Sequence, residues 1–282
     1  MALAWITGAN GLIGSRLVRA APRFGAGWKV RGLVRNDFDL TDFATVQMAF
    51  GQEKPRLLIH CAALSKTPAC EADPSLARKL NVEVTAQLAS LATEIPFVFF
   101  STDLVFDGRA GNYDEAAAVN PLSVYAETKV AAEDSVRRHP HHLIIRTSLN
   151  GGISPTGDRG FNEEMRRAWH SGKTLKLFTD EFRSPISALV TARAVWELLS
   201  KNATGIYHVA GSERLSRFQI GELLAARWPQ LHPKFEPASL KDYQGPPRPR
   251  DTSLNCAKAR NLLSFPLPGL ADWLKANPDE VF

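Results

Sequence analysis

Tyr125 and Lys129 place a phenol and an ammonium at positions i and i+4 of the run Tyr125-Ala126-Glu127-Thr128-Lys129. On a helix such a pair shares one face. A phenol with a pKa of about 10 is a poor acid–base catalyst at neutral pH. A neighbouring ammonium favours the phenolate and draws the pKa toward the working range. The spacing therefore predicts a tyrosine that exchanges a proton with a substrate oxygen. The lysine would tune it and donate hydrogen bonds to the ribose hydroxyls of a cofactor. Alone, the pair is equally what an exposed, inert helix face looks like, so its surroundings decide.

Near the N-terminus lies a second run, Thr7-Gly8-Ala9-Asn10-Gly11-Leu12-Ile13-Gly14. It follows the short apolar segment Ala2 to Thr7, which has the pattern of a buried parallel strand. It leads into a helix expected over Leu12 to Ala20. Glycines at this junction permit positive φ and let backbone N–H groups approach a pyrophosphate. The helix N-terminus adds free donors and a partial positive charge. The spacing is GxxGxxG rather than GxGxxG. Its place directly after an N-terminal strand favours a dinucleotide bed over an ordinary turn.

The next strand is expected over Trp28 to Val34, with Arg35 at its end and no acid before Asp37. An acid at that strand end accepts from the 2′-OH of NAD, whereas an arginine accommodates the 2′-phosphate of NADP. Arg35 thus tilts the reading toward NADP, with NAD still possible. Further along, Ile95 to Phe100 reads as a buried strand ending in Ser101-Thr102-Asp103. Ligands of open parallel sheets bind outside the carboxyl ends of strands, so a hydroxyl there sits where a substrate carbonyl would. A helix over Pro121 to Arg138 would then carry Tyr125 and Lys129.

Together these residues resemble the extended short-chain dehydrogenase/reductase family, over nearly the whole chain. Asp39-Leu40-Thr41-Asp42 is similar to its adenine-side segment, and His60-Cys61-Ala62-Ala63 to the strand end beside the cofactor. Asn81 matches a helix asparagine that supports the active site. Ser101 to Gly108, Arg146-Thr147-Ser148, Gly205 to Gly211 and Arg248 to Leu254 resemble the dTDP-4-dehydrorhamnose reductase branch. The resemblance implies an α/β fold: a Rossmann-type doubly wound parallel sheet over 1–150, and a smaller C-terminal substrate-binding lobe over 151–282 interleaved with the last sheet elements. It implies Thr102, Tyr125 and Lys129 as catalytic residues. For the cofactor it implies Gly8, Asn10, Gly11, Leu12, Ile13, Gly14, Arg35, Asp39, Leu40, Cys61, Ala62, Ala63, Asn81, Ser101 and Lys129. Asp103, Arg183 and Arg248 are expected on the substrate, and no metal is expected.

The activity implied is NAD(P)-dependent reduction of a nucleotide-linked 4-keto sugar. The chain departs from the branch at Leu104 and Leu149, where a tyrosine and a tryptophan are usual, and again at Asn150 to Ile153 and Glu181-Phe182-Arg183. These lie on the substrate side and bear on the sugar, not on the cofactor chemistry. Sugar-nucleotide dehydratases resemble this chain with Asp-Glu after the threonine, but Leu104 cannot take a proton. Two alternatives stay open. One is a nucleotide-sugar epimerase. The other is a non-catalytic regulatory subunit like the β-subunit of methionine adenosyltransferase, which resembles the same branch.

Composition sets the outer bounds. A length of 282 residues with 44% hydrophobic content supports one large α/β domain with a smaller partner. Three cysteines make no disulfide framework, and the strand starting at residue 2 leaves no room for a leader, so a cytoplasmic enzyme is expected. No apolar run approaches a membrane span. The net charge of +5 is spread out and accompanies no nucleic-acid motif, so attraction to an anionic cofactor or substrate accounts for it. A small-molecule substrate is the expected partner, with a homodimer as one allowed assembly. Arg137-Arg138-His139-Pro140-His141-His142 reads as a solvated helix end rather than a metal site. Gln244 to Arg250 must be extended, suiting a loop over the substrate cleft, and Gly151 to Gly160 reads as a lid. Helices are expected at Phe161 to His170, Ala188 to Ser200 and Ser216 to Trp228.

Overall fold

The computed structural model describes residues 1–282. Six strands form the main sheet: β1 (Ala2–Thr7), β2 (Trp28–Leu33), β3 (Leu57–His60), β4 (Phe97–Thr102), β5 (Leu143–Thr147) and β6 (Gly205–Val209). Their order is β6-β5-β4-β3-β1-β2 and every pairing is parallel. From β1 the chain steps outward to β2 and then returns to the other side of β1. The switch point therefore lies between the carboxyl ends of β1 and β3, where open α/β sheets bind ligands.

Strand residues alternate between two cores. Ala4, Ile6, Leu57, Ile59, Val98, Phe100, Leu143 and Ile145 face α1 (Leu12–Phe24) and the later helix Ala188–Ser200. Trp5, Leu58, Phe97, Phe99 and Ile144 face α2 (Phe43–Glu53), α3 (Val84–Leu91) and α4 (Val124–Arg137). A third cluster, built on α5 (Phe161–His170), α6 (Ala188–Ser200), α7 (Arg217–Arg227) and α8 (Leu270–Ala276), contains Met165, Trp169, Ile220, Leu224 and Trp273 and closes the C-terminal lobe, with Val190 of α6 packed at its edge. The last strand of the main sheet, β6, comes from the second half of the chain.

The expected elements shift at their ends for local reasons. β4 begins at Phe97 and runs on through Ser101 and Thr102, because Ile95 turns back onto Ala92. α4 starts at Val124, capped by the Ser123 hydroxyl, which accepts from Ala126 N–H at 3.3 Å. Phe161–His170 and Ala188–Ser200 match their expected spans. Ser216 caps α7 in a reciprocal box with Gln219. Two expectations need correction. His142 is buried, not solvated: its ring packs on Phe97 and bonds the Ala92 carbonyl at 3.2 Å. The loop 151–160 is pinned rather than lid-like, because Glu163 accepts from the N–H groups of Ser154, Arg159 and Gly160.

Candidate active site

The turn after β1 is shaped for an anion. Gly8 has φ +68°, and a Cβ there would lie 2.7 Å from Ala62 N. The turn and the segment Cys61-Ala62-Ala63 after β3 are thus in backbone contact. Gly11 caps α1 with no side-chain hydrogen bond, and the first turn of α1 holds no acid. Gly11, Leu12, Ile13 and Gly14 consequently start a helix whose N-terminal donors have no side chain competing for them, with Asn10 exposed at the rim. A dinucleotide pyrophosphate fits this cradle.

At the end of β2, Arg35 is 87% exposed and ion-paired to Asp39 at 3.5 Å. The Asp39 carboxylate also accepts from Thr41 N–H and hydroxyl, both at 2.9 Å, and these bonds hold it below the usual carboxylate range. Leu40 packs at the edge of the second core. These adenine-side residues form one surface group, apart from the reacting end.

At the carboxyl end of β4 the residues converge. Thr102 donates to Asp103 Oδ1 at 3.2 Å and accepts from Leu104 N–H at 3.2 Å. Tyr125, half-buried at the start of α4, has Thr102, Asp103, Cys70 and Arg183 as electrostatic neighbours. Lys129, one turn on, is buried with its Nζ 4.0 Å from the Phe99 ring centroid. The lysine does not draw the phenol down as its spacing suggested. Burial pushes Tyr125 up, the charge of Asp103 adds to this, and the Thr102 hydroxyl opposes it. Burial likewise brings Lys129 down to about 7, against the pull of Glu133 and Cys61. Before any ligand arrives, then, the phenol is firmly protonated. That is the state a proton donor needs.

Asp103, Arg183 and Arg248 are joined in one chain of charges. Asp103 Oδ2 accepts from Ser148 at 2.6 Å, Arg183 Nη1 at 2.8 Å and Thr252 at 3.0 Å. Arg183 continues to Glu181 at 3.4 Å, and Glu181 takes two hydrogen bonds from Arg248, at 2.8 and 3.0 Å. Burial opposes ionisation of Glu181, but Arg183 and Arg248 hold it below its ordinary range. Arg217, at the start of α7, is the residue that sequence reasoning missed. Its guanidinium has no ion pair, lies 5.4 Å from the Phe161 ring and is pushed down to about 10, first by burial and then by Arg183 and Arg248 against Glu181. No motif marked it, because its role depends on a cluster assembled from distant segments. Asn81 lies between the segment after β3 and α4. It sits in a π turn over Lys79–Glu83, and its amide bonds the Leu64 backbone twice and the Thr128 hydroxyl once. Ser101 Oγ is buried without a partner.

A parallel doubly wound sheet, a glycine cradle at its switch point and a Thr–Tyr–Lys group at the end of β4 define an extended short-chain dehydrogenase/reductase. Within that class the chain matches the RmlD substrate binding domain over residues 2–280 and belongs to that family. It is 31% identical to a probable low-salt glycan biosynthesis reductase of Haloferax volcanii, covering 97% of this chain and 96% of that protein. It is also 26% identical to the methionine adenosyltransferase 2 subunit beta of Xenopus laevis, over 92% of this chain and 82% of that one. The fold superposes on a Bacillus anthracis dTDP-4-dehydrorhamnose reductase solved in complex with NADP, with a TM-score of 0.88 at 24% identity, covering 98% of both chains. The family placement makes the chain an oxidoreductase of this type. No helix is long and apolar enough to cross a membrane.

Proposed function

We propose that the protein is an NADPH-dependent reductase of a nucleotide-linked 4-keto sugar. The observation that carries this reading is the Tyr125 phenol beside Thr102 at the end of β4, with the anion cradle at the neighbouring switch point. The Haloferax relative is itself named a reductase, and the Bacillus structure holds NADP. The glycine turn, with Asn10, Leu12 and Ile13, would hold the pyrophosphate. Arg35, Asp39 and Leu40 would meet the adenosine, and Cys61, Ala62, Ala63, Ser101 and Lys129 the nicotinamide side. When bound, the reduced nicotinamide supplies a hydride to the carbonyl carbon.

The chain's own residues handle the oxygen. Thr102 turns its hydroxyl from Asp103 to the carbonyl oxygen, and Tyr125 donates to the same atom. As negative charge develops there, the Tyr125 proton crosses to it. Lys129, one turn further along α4, would donate hydrogen bonds to the cofactor ribose hydroxyls rather than set the phenol. Asp103 is not free to act as a base, since Oδ2 already accepts three hydrogen bonds. With Leu104 in place of a second proton-transfer residue, this favours reduction over elimination of water. Arg183, Arg217 and Arg248 outnumber Glu181 and Asp103, so the lobe side presents net positive charge to a diphosphate.

Tyr125→Phe tests the mechanism. Turnover of keto-sugar nucleotides should fall by about 10²–10⁴, while NADPH binding read by fluorescence stays intact. Undiminished turnover would sink it. The resemblance to a methionine adenosyltransferase subunit supports a second, non-catalytic reading. Tight cofactor binding with no turnover across a panel of keto sugars and simple ketones would favour that one. An epimerase would return its cofactor oxidised and reduced in turn, with no net consumption of NADPH.

A further inference from the structure

Under the reacting end runs a hydrogen-bonded chain that the mechanism above does not use. Thr7 and His60 are register partners on β1 and β3, so their side chains lie on one face of the sheet. Both are fully buried. The Thr7 hydroxyl lies 2.7 Å from His60 Nδ1, and the Thr85 hydroxyl 3.1 Å from His60 Nε2. Thr85 is itself 2.7 Å from the Asn81 carbonyl, and Ala62 N–H is 3.3 Å from the Thr7 hydroxyl.

Donor counting orders this chain. A carbonyl only accepts, so Thr85 spends its one hydrogen on Asn81 and must accept from His60. Nε2 therefore carries a hydrogen. A neutral ring then has a bare Nδ1, which accepts from the Thr7 hydroxyl, and Thr7 accepts from Ala62 N–H. Every hydrogen is assigned in one direction. A second ring proton would oppose Thr7, and it would sit beside the Phe97 and Phe99 rings of the neighbouring strand and near the Lys129 ammonium. Burial, with Lys129 adding to it, brings His60 down to about 3, consistent with a neutral ring.

The two ends of the chain are the two halves of the site. Ala62 abuts Gly8 of the phosphate turn. Asn81 fixes Leu64 and, at 3.0 Å, the hydroxyl of Thr128, which donates to the Tyr125 carbonyl at 2.7 Å. We propose that His60 is a positioning residue which, as a neutral Nε2–H imidazole, ties the phosphate-binding turn to the Asn81 turn and through it sets the helix bearing Tyr125 and Lys129. This rests on the reductase reading for its kinetic consequence but not for the relay itself.

Two arms test it. Nitrogen NMR of histidine-labelled protein at neutral pH should show His60 with Nε2 protonated and Nδ1 bare. An Nδ1–H tautomer or an imidazolium overturns the relay. In the same spectra, NADPH should shift the Asn81 side-chain amide, and His60→Asn, which keeps a group near Nδ1 but none near Nε2, should abolish that shift. Retention of the shift overturns the coupling. In kinetics, His60→Asn and Thr85→Val should each lower kcat on the order of tenfold with the NADPH Kd unchanged, the scale of a small misplacement of reacting groups. The double variant should lose no more than either one. Thr85→Ser should restore kcat, and serves where His60→Asn does not fold. Losses that multiply, or that appear only as a lower melting temperature, overturn the proposal. No turnover in the unmodified protein together with the expected NMR result would overturn the reductase reading alone.

Discussion

The reacting end and the substrate lobe are held together by different physics. Under Tyr125 one network is of hydroxyls, an imidazole and amides, matched donor to acceptor through Thr7, His60, Thr85, Asn81 and Thr128, with the buried Glu133–Arg146 pair further along α4 beside Lys129. On the lobe side, Arg183, Glu181 and the half-buried Arg248 form a run of full charges that begins at Asp103, next to Thr102, with Arg217 beside it. The neutral network sets geometry through matched hydrogen bonds, while the protonation of Tyr125 is left to burial and to nearby charges such as Asp103. The ionic network keeps a surplus of positive charge in a desolvated place, where an anionic substrate group gains most from it. Precise placement and strong attraction are thus assigned to two walls of the site that meet at Thr102 and Asp103.

If this contrast holds, the two walls respond differently to loss of one member. Glu181→Gln leaves buried arginines facing one another. Breaking a buried ion pair from one side costs about 3–5 kcal/mol, so urea unfolding should show a loss of that size. Thr85→Val removes two neutral hydrogen bonds and leaves the His60 Nε2–H unpaired, which should cost about 1–3 kcal/mol, less than the ion pair. The reverse ranking would break the comparison.

Arg217 sharpens it. It has no ion pair of its own, so Arg217→Met should leave the melting temperature and the NADPH Kd nearly unchanged. Binding of a nucleoside diphosphate should weaken by about 1.5–3 kcal/mol, the worth of a charge-assisted hydrogen bond, or at least tenfold. Calorimetric titration with a nucleoside diphosphate checks this. Equal affinity in both proteins would place the diphosphate elsewhere.

A smaller effect separates burial from function within the nucleotide-binding half. Burial brings His142 down to about 4 from its ordinary 6.5. Between those values the unfolded chain binds the proton and the folded one does not, so stability should fall as pH drops from 6.5 to 4. Below that window both states are charged and the slope ends. His60, lowered further, extends the same trend to more acid pH. His142→Asn should flatten the upper part of this slope in melting temperatures while leaving turnover at neutral pH alone. An unchanged slope would assign the acid sensitivity to other groups.

The two walls were not equally legible in the sequence. The phosphate turn, β4 with its hydroxyls and α4 are local patterns: glycine spacing, an apolar run, an i, i+4 pair. The structure keeps all of them near their expected places. The chemistry of the pair was only half legible. Spacing puts Lys129 on the face of Tyr125, but the side chain turns to Phe99, and burial rather than charge sets the phenol. The ionic wall was hardly legible, since Asp103 meets Arg183 and Thr252 across 80 and 149 positions of chain. Such pairing is decided by the return paths of the lobe, which no local pattern encodes. His142 shows the same limit: a basic, polar run at a helix end reads as solvated until the ring is seen against Phe97.

The smallest expected effect lies at the adenine end, which belongs to neither wall. NADPH should bind more tightly than NADH because Arg35 follows β2 with no acid directly beside it in the chain, and a guanidinium can meet a 2′-phosphate with two parallel hydrogen bonds. Two observations reduce the size of that preference. Arg35 is 87% exposed, so solvent screens it, and its partner at 3.5 Å is Asp39, which the phosphate must displace or tolerate. Exposed pairs contribute roughly 0.2–1 kcal/mol, which is about 1.4- to fivefold in affinity. Arg35→Ala should therefore weaken NADPH by that factor and leave NADH unchanged. Asp39→Asn should do the opposite for NADPH, since it removes a competing acceptor and a like charge. Fluorescence titration of both cofactors into the three proteins decides the matter, and raising the salt concentration should shrink the NADPH preference. Equal losses of both cofactors on Arg35→Ala would mean that the guanidinium stacks on the adenine. Tighter NADH binding in the unmodified protein would mean that Asp37 or Asp39 reaches the ribose, and that the strand end selects for a hydroxyl rather than a phosphate.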